Sequence, residues 1–242
     1  MSSSNSYFHK LSKKNSFYKK LFFYYNIYIR NFKFLFNSSQ LNEEKYILKI
    51  FRNSYKGNFV DLGCFHPTRH NNTFKLYKAG WRGINIDLNK FSIDLFNFAR
   101  PEDINLCTVV SNKKGSAKLY YLGDLATQNT IEKNNLNLIN KNFLIKKKDI
   151  KIKKIKTQRL DSILKKYNLK KIDFMNIDIE GHELKVLRSL NLKNFDIKVI
   201  CIEIFNHNKL SKENNSKVLK YLKENNYLLK YKTAINYIFE KK

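Results

Sequence analysis

From residue 41 to the C-terminus, short apolar segments alternate with segments whose apolar residues recur at helical spacing. The predicted strands are residues 59–62, 83–87, 104–110, 172–177 and 198–204, and the predicted helices are residues 41–53, 70–78, 90–99, 160–167, 182–190 and 211–225. Strands that alternate with helices in this way predict an α/β fold with a mostly parallel, doubly wound sheet. Residues 227–231 and 236–239 add a predicted C-terminal antiparallel hairpin.

The chain divides into a basic, aromatic N-terminal helical extension at residues 1–40 and a main domain at residues 41–242. Between residues 18 and 36, apolar residues recur at helical spacing, while Lys19, Arg30 and Lys33 fall on another face. Two interpretations stay open. Residues 1–38 form an interfacial helix that contacts an anionic membrane or a partner, or they pack on the sheet of the domain itself.

The chain carries 47 lysine and arginine residues against 20 acidic residues, which gives a formal net charge of +27. Such a charge attracts nucleic acid, anionic lipid or an acidic glycan. The basic residues are spread along the whole chain together with asparagine and isoleucine, which favours a general composition bias over one binding patch. No aromatic stacking platform accompanies a basic strip, and this argues against a nucleic-acid partner.

Three cysteines, Cys64, Cys107 and Cys201, lie in or beside predicted strands. Their odd number and wide spacing predict small core residues in a reducing compartment, and no disulfide framework or zinc site. The sequence lacks the run of about 18 apolar residues that a spanning helix needs, and it lacks the pattern of a secretory signal. We therefore expect a cytoplasmic protein, peripheral to the inner face of the membrane if residues 1–38 bind lipid.

Acidic residues stand where the predicted strands end: Asp61 lies just before Gly63, and Asp87 closes the second strand. In an open α/β sheet, ligands bind beyond the carboxyl ends of the strands, where an acid can accept hydrogen bonds from two ribose hydroxyls. Gly63 would let the backbone approach a ligand closely. A dinucleotide site needs G-x-G-x-x-G at this turn, but residues 63–68 contain a single glycine. This favours S-adenosylmethionine, which has no pyrophosphate.

Several segments resemble the FkbM family of methyltransferases. They are residues 59–67 (FVDLGCFHP), 71–73 (NNT), 80–87 (GWRGINID), 159–164 (RLDSIL), 172–183 (IDFMNIDIEGHE) and 199–204 (VICIEI). The resemblance runs in order from about residue 55 to residue 240 and leaves out the N-terminal 40 residues. It implies a class I methyltransferase Rossmann-like fold, S-adenosylmethionine as the donor, and an oxygen acceptor on a sugar or polyketide-like molecule.

Two further pairs of polar residues are candidates to contact the donor. Asn72 and Thr73 open the helix after the glycine turn and could bond the donor carboxylate, although helix capping explains them equally well. Ser111 and Asn112 follow the third predicted strand, at its carboxyl end. The predicted donor-binding residues are therefore Asp61, Gly63, Asn72, Thr73, Asp87, Ser111 and Asn112.

The run at residues 178–183 follows the fourth strand and opens a helix. Asp178 is a candidate to hold the donor amino group or to orient the acceptor, and Glu180 and His182 are candidate bases for the acceptor hydroxyl proton. Helix capping for Glu180, and no chemical role for His182, are the alternatives. A divalent metal on Asp178, Glu180 and Glu203 is chemically reasonable, but the spacing does not support it, and no metal site is predicted. The irregular residues 123–150 are the expected acceptor lid.

These residues predict S-adenosylmethionine-dependent O-methylation of a sugar, glycan or small-molecule hydroxyl by in-line displacement. Two alternatives stay open. An RNA methyltransferase fits the positive charge, but the sequence has no Asn-Pro-Pro-Tyr-like segment. A non-catalytic nucleotide- or membrane-binding module could keep the same fold, but it would have no need of the acids at strand ends.

Overall fold

A computed structural model of the chain describes residues 9–51, 55–124, 126, 129–133, 150–179, 181–192, 194–204 and 209–242. The helices are α1 (Ser16–Tyr24), α2 (Glu43–Ile50), α3 (Phe74–Lys78), α4 (Lys90–Ala99), α5 (Leu160–Lys166), α6 (Glu183–Leu187) and α7 (Lys209–Glu224). A π-helical turn (Tyr25–Arg30) and a 3₁₀ turn (Phe32–Leu35) continue α1. The strands are β1 (Asn58–Leu62), β2 (Arg82–Asp87), β3 (Ile104–Cys107), β4 (Val109–Val110), β5 (Gly115–Tyr121), β6 (Lys151–Gln158), β7 (Lys171–Ile177), β8 (Asp196–Glu203), β9 (Tyr227–Lys232) and β10 (Asn236–Lys241).

The main sheet has the strand order β3-β2-β1-β7-β8-β10-β9. The pairs among β3, β2, β1, β7 and β8 are parallel, whereas β10 is antiparallel to both β8 and β9. The prediction of a mostly parallel sheet is confirmed. The chain winds outward in one direction from β1 to β3 and in the other from β7, so the strand order reverses beside β1. Such a reversal leaves a crevice at the carboxyl ends of the strands.

Successive residues of β1 face opposite sides of the sheet, as the pleat requires. Phe59 belongs to a core cluster with residues of α2 and α3, including Ile47 and Leu76. Val60 and Leu62 belong to the larger cluster, which contains residues of α5, α6 and α7. Helices therefore cover both faces of the sheet, and β1 is almost completely buried.

The third predicted strand, residues 104–110, is corrected to two shorter strands. The chain leaves the main sheet after Cys107, and Val109–Val110 pair instead with β6 in a second sheet of order β4-β6-β5. Cys107 is exposed, which contradicts its predicted place in the core. It ends the outermost strand of the main sheet, where one side has no neighbouring strand. Cys64 and Cys201 are buried, as predicted.

Three predicted helices begin later than their apolar spacing suggested, and the one expected from residue 41 begins at Glu43. The helix expected from residue 70 begins at Phe74, because His70 adopts a left-handed conformation with φ +48° that a helix cannot contain. The helix expected at residues 182–190 covers Glu183–Leu187, and His182 precedes it as the N-cap residue.

The N-terminal extension packs on the domain through part of its surface. Phe22, Phe23 and Ile27 are buried in one cluster with Leu95 of α4, and Lys19 forms an ion pair with Asp94 at 2.8 Å. In the described part of the chain, no helix combines the length and apolar character needed to cross a membrane. One face of the extension therefore packs on the domain, as the second of the two interpretations predicts.

Candidate functional site

A cavity of about 330 Å³ opens where the strand order reverses. Gly63, Asp87, Asp178 and Glu203 line it, each at or just after the end of a strand of the main sheet. Its volume lies at the lower end of the range of about 300–1,000 Å³ typical of small-molecule sites. The cavity is thus in the position that the α/β topology favours for a ligand.

Gly63 is required by the meeting of β1 and β7 at this edge of the sheet. Its φ of +77° is unfavourable for residues with a side chain, and a Cβ atom would lie 1.7 Å from the carbonyl oxygen of Asp178. The Asp178 backbone N–H donates to the Leu62 carbonyl at 2.9 Å. Gly63 was predicted to let the backbone approach a ligand, but the backbone that comes close to Gly63 is that of Asp178, at the end of β7. This contact brings Gly63 and Asp178 together at the cavity.

Asp87 presents a carboxylate to the cavity from the end of β2. Its Oδ1 accepts the Asn89 backbone N–H at 2.7 Å, and its Oδ2 accepts the Phe65 backbone N–H at 2.9 Å. Burial raises the pKa of Asp87 to about 6, although the two backbone hydrogen bonds oppose this shift. Each carboxylate oxygen has a second lone pair, so Asp87 can still accept hydrogen bonds from a ligand diol.

Asp61 lies beneath the cavity and does not line it. Its side chain is fully buried, with Oδ1 accepting from Asn176 at 2.9 Å and Oδ2 accepting from Asn71 at 3.1 Å and Thr73 at 2.8 Å. Burial raises the pKa of Asp61, against the effect of these hydrogen bonds and of the charge on Arg100. The geometry gives Asp61 a supporting position under the loop that follows β1.

Asn72 and Thr73 belong to the same buried network and also stay outside the cavity lining. Asn72 donates to Asn176 Oδ1 at 3.0 Å. The guanidinium of Arg100 donates to Thr73 Oγ1 at 2.9 Å and to Asn71 Oδ1 at 2.8 Å, and it also contacts the Pro67 carbonyl. Thr73 is the N-cap residue of α3 but makes no side-chain capping hydrogen bond, so helix capping does not explain its side chain. The network fixes the loop that carries the cavity wall.

His182 lines the cavity and is oriented by an acid from the irregular stretch after β5. Its Nδ1 lies 2.5 Å from Glu132 Oε1, and its Nε2 lies 3.1 Å from the Ser111 hydroxyl. An ionised carboxylate only accepts hydrogen bonds, so the proton is assigned to Nδ1, and Nε2 accepts from Ser111. The hydrogen bond with His182 lowers the pKa of Glu132 to about 2, and Lys185 contributes to the same shift. His182 therefore has an accepting nitrogen and a fixed ring.

Ser111 and Asn112 lie outside the cavity lining, and Thr108, Val109 and Val110 line it instead. Ser111 and Asn112 were expected to follow directly after the third strand. Because β3 already ends at Cys107, Thr108 to Val110 occupy that place at the cavity. Glu180, the remaining predicted catalytic residue, lies outside the residues that the structure describes. Ala126, Asn129 and Ile131 also line the cavity, so the described part of the predicted lid does border it.

Arg69 and His70 line the cavity and were not predicted. Arg69 is half-buried, its guanidinium lies over the rings of Phe34 and Phe65, and it forms no ion pair within the described ranges. Burial is the larger cause and the nearby charge of Arg30 the smaller cause of the lowered pKa of Arg69. The sequence does contain one indication of this role: Arg69 belongs to the segment after β1 that begins at Gly63, where a ligand contact is expected.

The N-terminal extension contributes to the cavity wall. Gln40 lines the cavity, and the Ser38 carbonyl accepts the Asn71 backbone N–H at 2.8 Å. Asn26 Oδ1 lies 3.0 Å from His66 Nε2, and burial lowers the pKa of His66 to about 3. Since His66 Nδ1 accepts two backbone N–H groups, the neutral ring donates from Nε2 to Asn26.

No set of three or more histidine, cysteine or acidic side chains within the described residues could hold a metal ion. Asp178 and Glu203 both line the cavity, while Glu180, the third residue of the metal alternative, falls outside that part of the chain.

Comparison with known proteins identifies the domain. The model of the FkbM methyltransferase domain matches residues 55–229, which is most of the chain and begins just before β1. The matched range includes every strand of the main sheet except β10 and part of β9. A comparison with curated proteins finds no match at a significant level. The predicted resemblance is confirmed, and the chain belongs to the FkbM methyltransferase family.

Proposed function

We propose that this methyltransferase uses S-adenosylmethionine to methylate a hydroxyl oxygen of a sugar, glycan or other small molecule. The observation that carries the proposal is Asp87 at the end of β2, facing a cavity beside a turn with no phosphate-binding glycine pattern. The strand order, with a reversed β10 between β8 and β9, supports a class I methyltransferase Rossmann-like fold. The family membership supports the reaction class.

The residues at the cavity fit the functional groups of this donor. Asp87 would accept the two ribose hydroxyls, and the apolar side chains of Leu88 and Val109 would contact the adenine. Asp178 would accept from the donor ammonium group, and Arg69 would donate to its carboxylate. The half-buried guanidinium of Arg69, which has no acidic partner in the described structure, gains a counter-ion in this arrangement.

The bound donor supplies an electrophilic methyl group, so the protein must orient the acceptor oxygen and take up its proton. His182 is suited to the second task because Glu132 holds the proton on Nδ1 and leaves Nε2 as a base. We place the acceptor hydroxyl at Nε2, in exchange for the hydrogen bond from Ser111. Asp178 lies at the same cavity and would help to orient the acceptor.

Replacing Asp87 by alanine should weaken binding of S-adenosylhomocysteine by at least about 100-fold, because two hydrogen bonds to a charged group are each worth about 1.5–3 kcal/mol. The wild-type affinity should be constant above pH 7 and fall about tenfold by pH 5, as the carboxylate with a pKa of about 6 becomes protonated. Isothermal titration calorimetry measures both effects.

Two variants control this experiment. Asp87→Asn should bind weakly and show no fall in affinity between pH 7 and pH 5. Asp94→Asn removes a carboxylate of α4 that pairs with Lys19 and Lys90 outside the cavity, and it should bind like the wild type. If Asp87→Ala keeps the wild-type melting temperature and binds S-adenosylhomocysteine with the wild-type affinity, the proposed ribose contact is excluded.

Replacing Arg69 by methionine should weaken S-adenosylhomocysteine binding at least tenfold, because the donor carboxylate loses a charge-assisted hydrogen bond. Binding of 5′-methylthioadenosine, which lacks the amino-acid moiety, should change less than twofold. Arg82→Met is the matched control, since Arg82 lies over the ring of Tyr77 and does not line the cavity. An equal loss for both ligands would mean that Arg69 only maintains the loop.

A further inference from the structure

The N-terminal extension exposes an unusual amount of apolar surface. Of the eleven exposed large apolar side chains in the described residues, seven lie between residues 17 and 36. They are Phe17, Tyr18, Leu21, Tyr24, Ile29, Phe32 and Phe36. Phe17 and Phe36 are 65% and 67% exposed, respectively. We call these seven side chains the aromatic face. Clustered apolar exposure of this kind marks an interaction surface, whereas scattered exposed residues do not.

The aromatic face is separate from the surface that holds the extension to the domain. Phe22, Phe23 and Ile27 are buried against the domain, with the ring of Phe23 5.7 Å from Phe91 and 5.8 Å from Phe98. Phe17, Leu21 and Tyr24 follow the i, i+4, i+7 spacing of one helix face. The extension is thus already anchored, and none of the seven exposed side chains belongs to the buried cluster that anchors it.

The segment that carries the aromatic face has charged side chains of one sign. The first 42 residues contain no aspartate or glutamate. Their basic residues are Lys10, Lys13, Lys14, Lys19, Lys20, Arg30 and Lys33. Two of them pair with acids of the domain, Lys13 with Asp124 and Lys19 with Asp94, and the other five form no ion pair within the described structure. Exposed aromatic side chains bordered by lysine and arginine suit the interface of an anionic bilayer.

We propose that the aromatic face docks on the surface of an anionic lipid bilayer. The aromatic and aliphatic side chains enter the boundary between head groups and acyl chains, while the surrounding lysines stay at the level of the lipid phosphates. A second copy of the chain fits less well, because a symmetric contact through this face would bring two sets of basic residues together. The proposal does not depend on the proposed methyl transfer.

The test is flotation of the full chain with vesicles of phosphatidylglycerol and phosphatidylcholine, compared with vesicles of phosphatidylcholine alone. Wild-type protein should float with the anionic vesicles, and 0.5 M NaCl, at which the Debye length falls to about 4 Å, should weaken the binding. A triple variant, Phe17→Ser, Leu21→Ser and Tyr24→Ser, should bind about tenfold more weakly.

The matched control is Ile152→Ser, Leu228→Ser and Leu229→Ser, which removes three side chains of similar exposure elsewhere and should bind like the wild type. Both variants should keep the wild-type melting temperature and circular dichroism spectrum. The proposal is overturned if the wild type ignores anionic vesicles, if both triple variants lose binding equally, or if the wild type is a dimer that only the aromatic-face variant converts to a monomer.

Discussion

Replacement of Asp61 by alanine is expected to lower the free energy of unfolding by about 3–5 kcal/mol, the cost typical of breaking a buried charged network. The carboxylate accepts hydrogen bonds from Asn71, Thr73 and Asn176, and its charge offsets that of Arg100. Alanine would leave these buried donors without their acceptor. It would also leave Arg100, which is 1% exposed, without the acid that most strongly offsets its charge.

Urea denaturation at pH 7 measures the effect. Asp196→Ala is the control, because Asp196 is exposed and makes one ion pair with Lys241 at 3.4 Å; this variant should lose less than about 0.5 kcal/mol. If the free energy of unfolding of Asp61→Ala lies within 1 kcal/mol of the wild-type value, the network does not stabilise the loop. A direct contact between Asp61 and the ligand would then be the better account of its role.

Replacement of His182 by glutamine should lower kcat by about 10²- to 10⁴-fold, the range for loss of a general base. Glutamine retains hydrogen-bonding groups near Glu132 and Ser111 but cannot take up the acceptor proton. The affinity for S-adenosylhomocysteine should change little, because the proposed donor contacts are made by Asp87, Asp178 and Arg69. The assay is transfer of a labelled methyl group to whichever sugar or glycan of a panel the wild type methylates best.

Lys185→Gln is the matched control for His182. Lys185 Nζ lies 2.6 Å from the same Glu132 oxygen but outside the cavity, so its loss should change kcat less than about threefold. Retention of more than half of the wild-type kcat in His182→Gln would exclude the proposed base.

The fold was predictable because its signal is local. The apolar runs that form β1, β2 and β7 are bounded by turns and acids, and parallel strands bring their carboxyl ends to one edge of the sheet. For that reason Gly63 and Asp87 could be assigned to one edge from their positions alone, and both line the cavity. The end of β3 was less certain, since nothing in residues 104–110 shows that the chain changes sheet after Cys107.

The remaining site residues depend on contacts that sequence spacing does not encode. His182 and Glu132 are separated by fifty positions, and Glu132 belongs to a stretch without periodicity. Asn72 and Thr73 occupy the expected turn, but their side chains bond buried groups: Thr73 donates to Asp61, and Asn72 donates to Asn176. The contribution of Gln40 to the cavity requires the extension to fold back over the loop after β1.

We expect the cavity at the ends of β1, β2 and β7 to bind S-adenosylmethionine. The decisive measurement is calorimetric titration of the wild-type chain with S-adenosylmethionine, S-adenosylhomocysteine and NAD⁺. We predict micromolar dissociation constants for the first two ligands and no measurable heat for NAD⁺, because the turn after β1 lacks the glycines that hold a pyrophosphate. A chain that unfolds cooperatively but binds neither adenosyl ligand would contradict the claim.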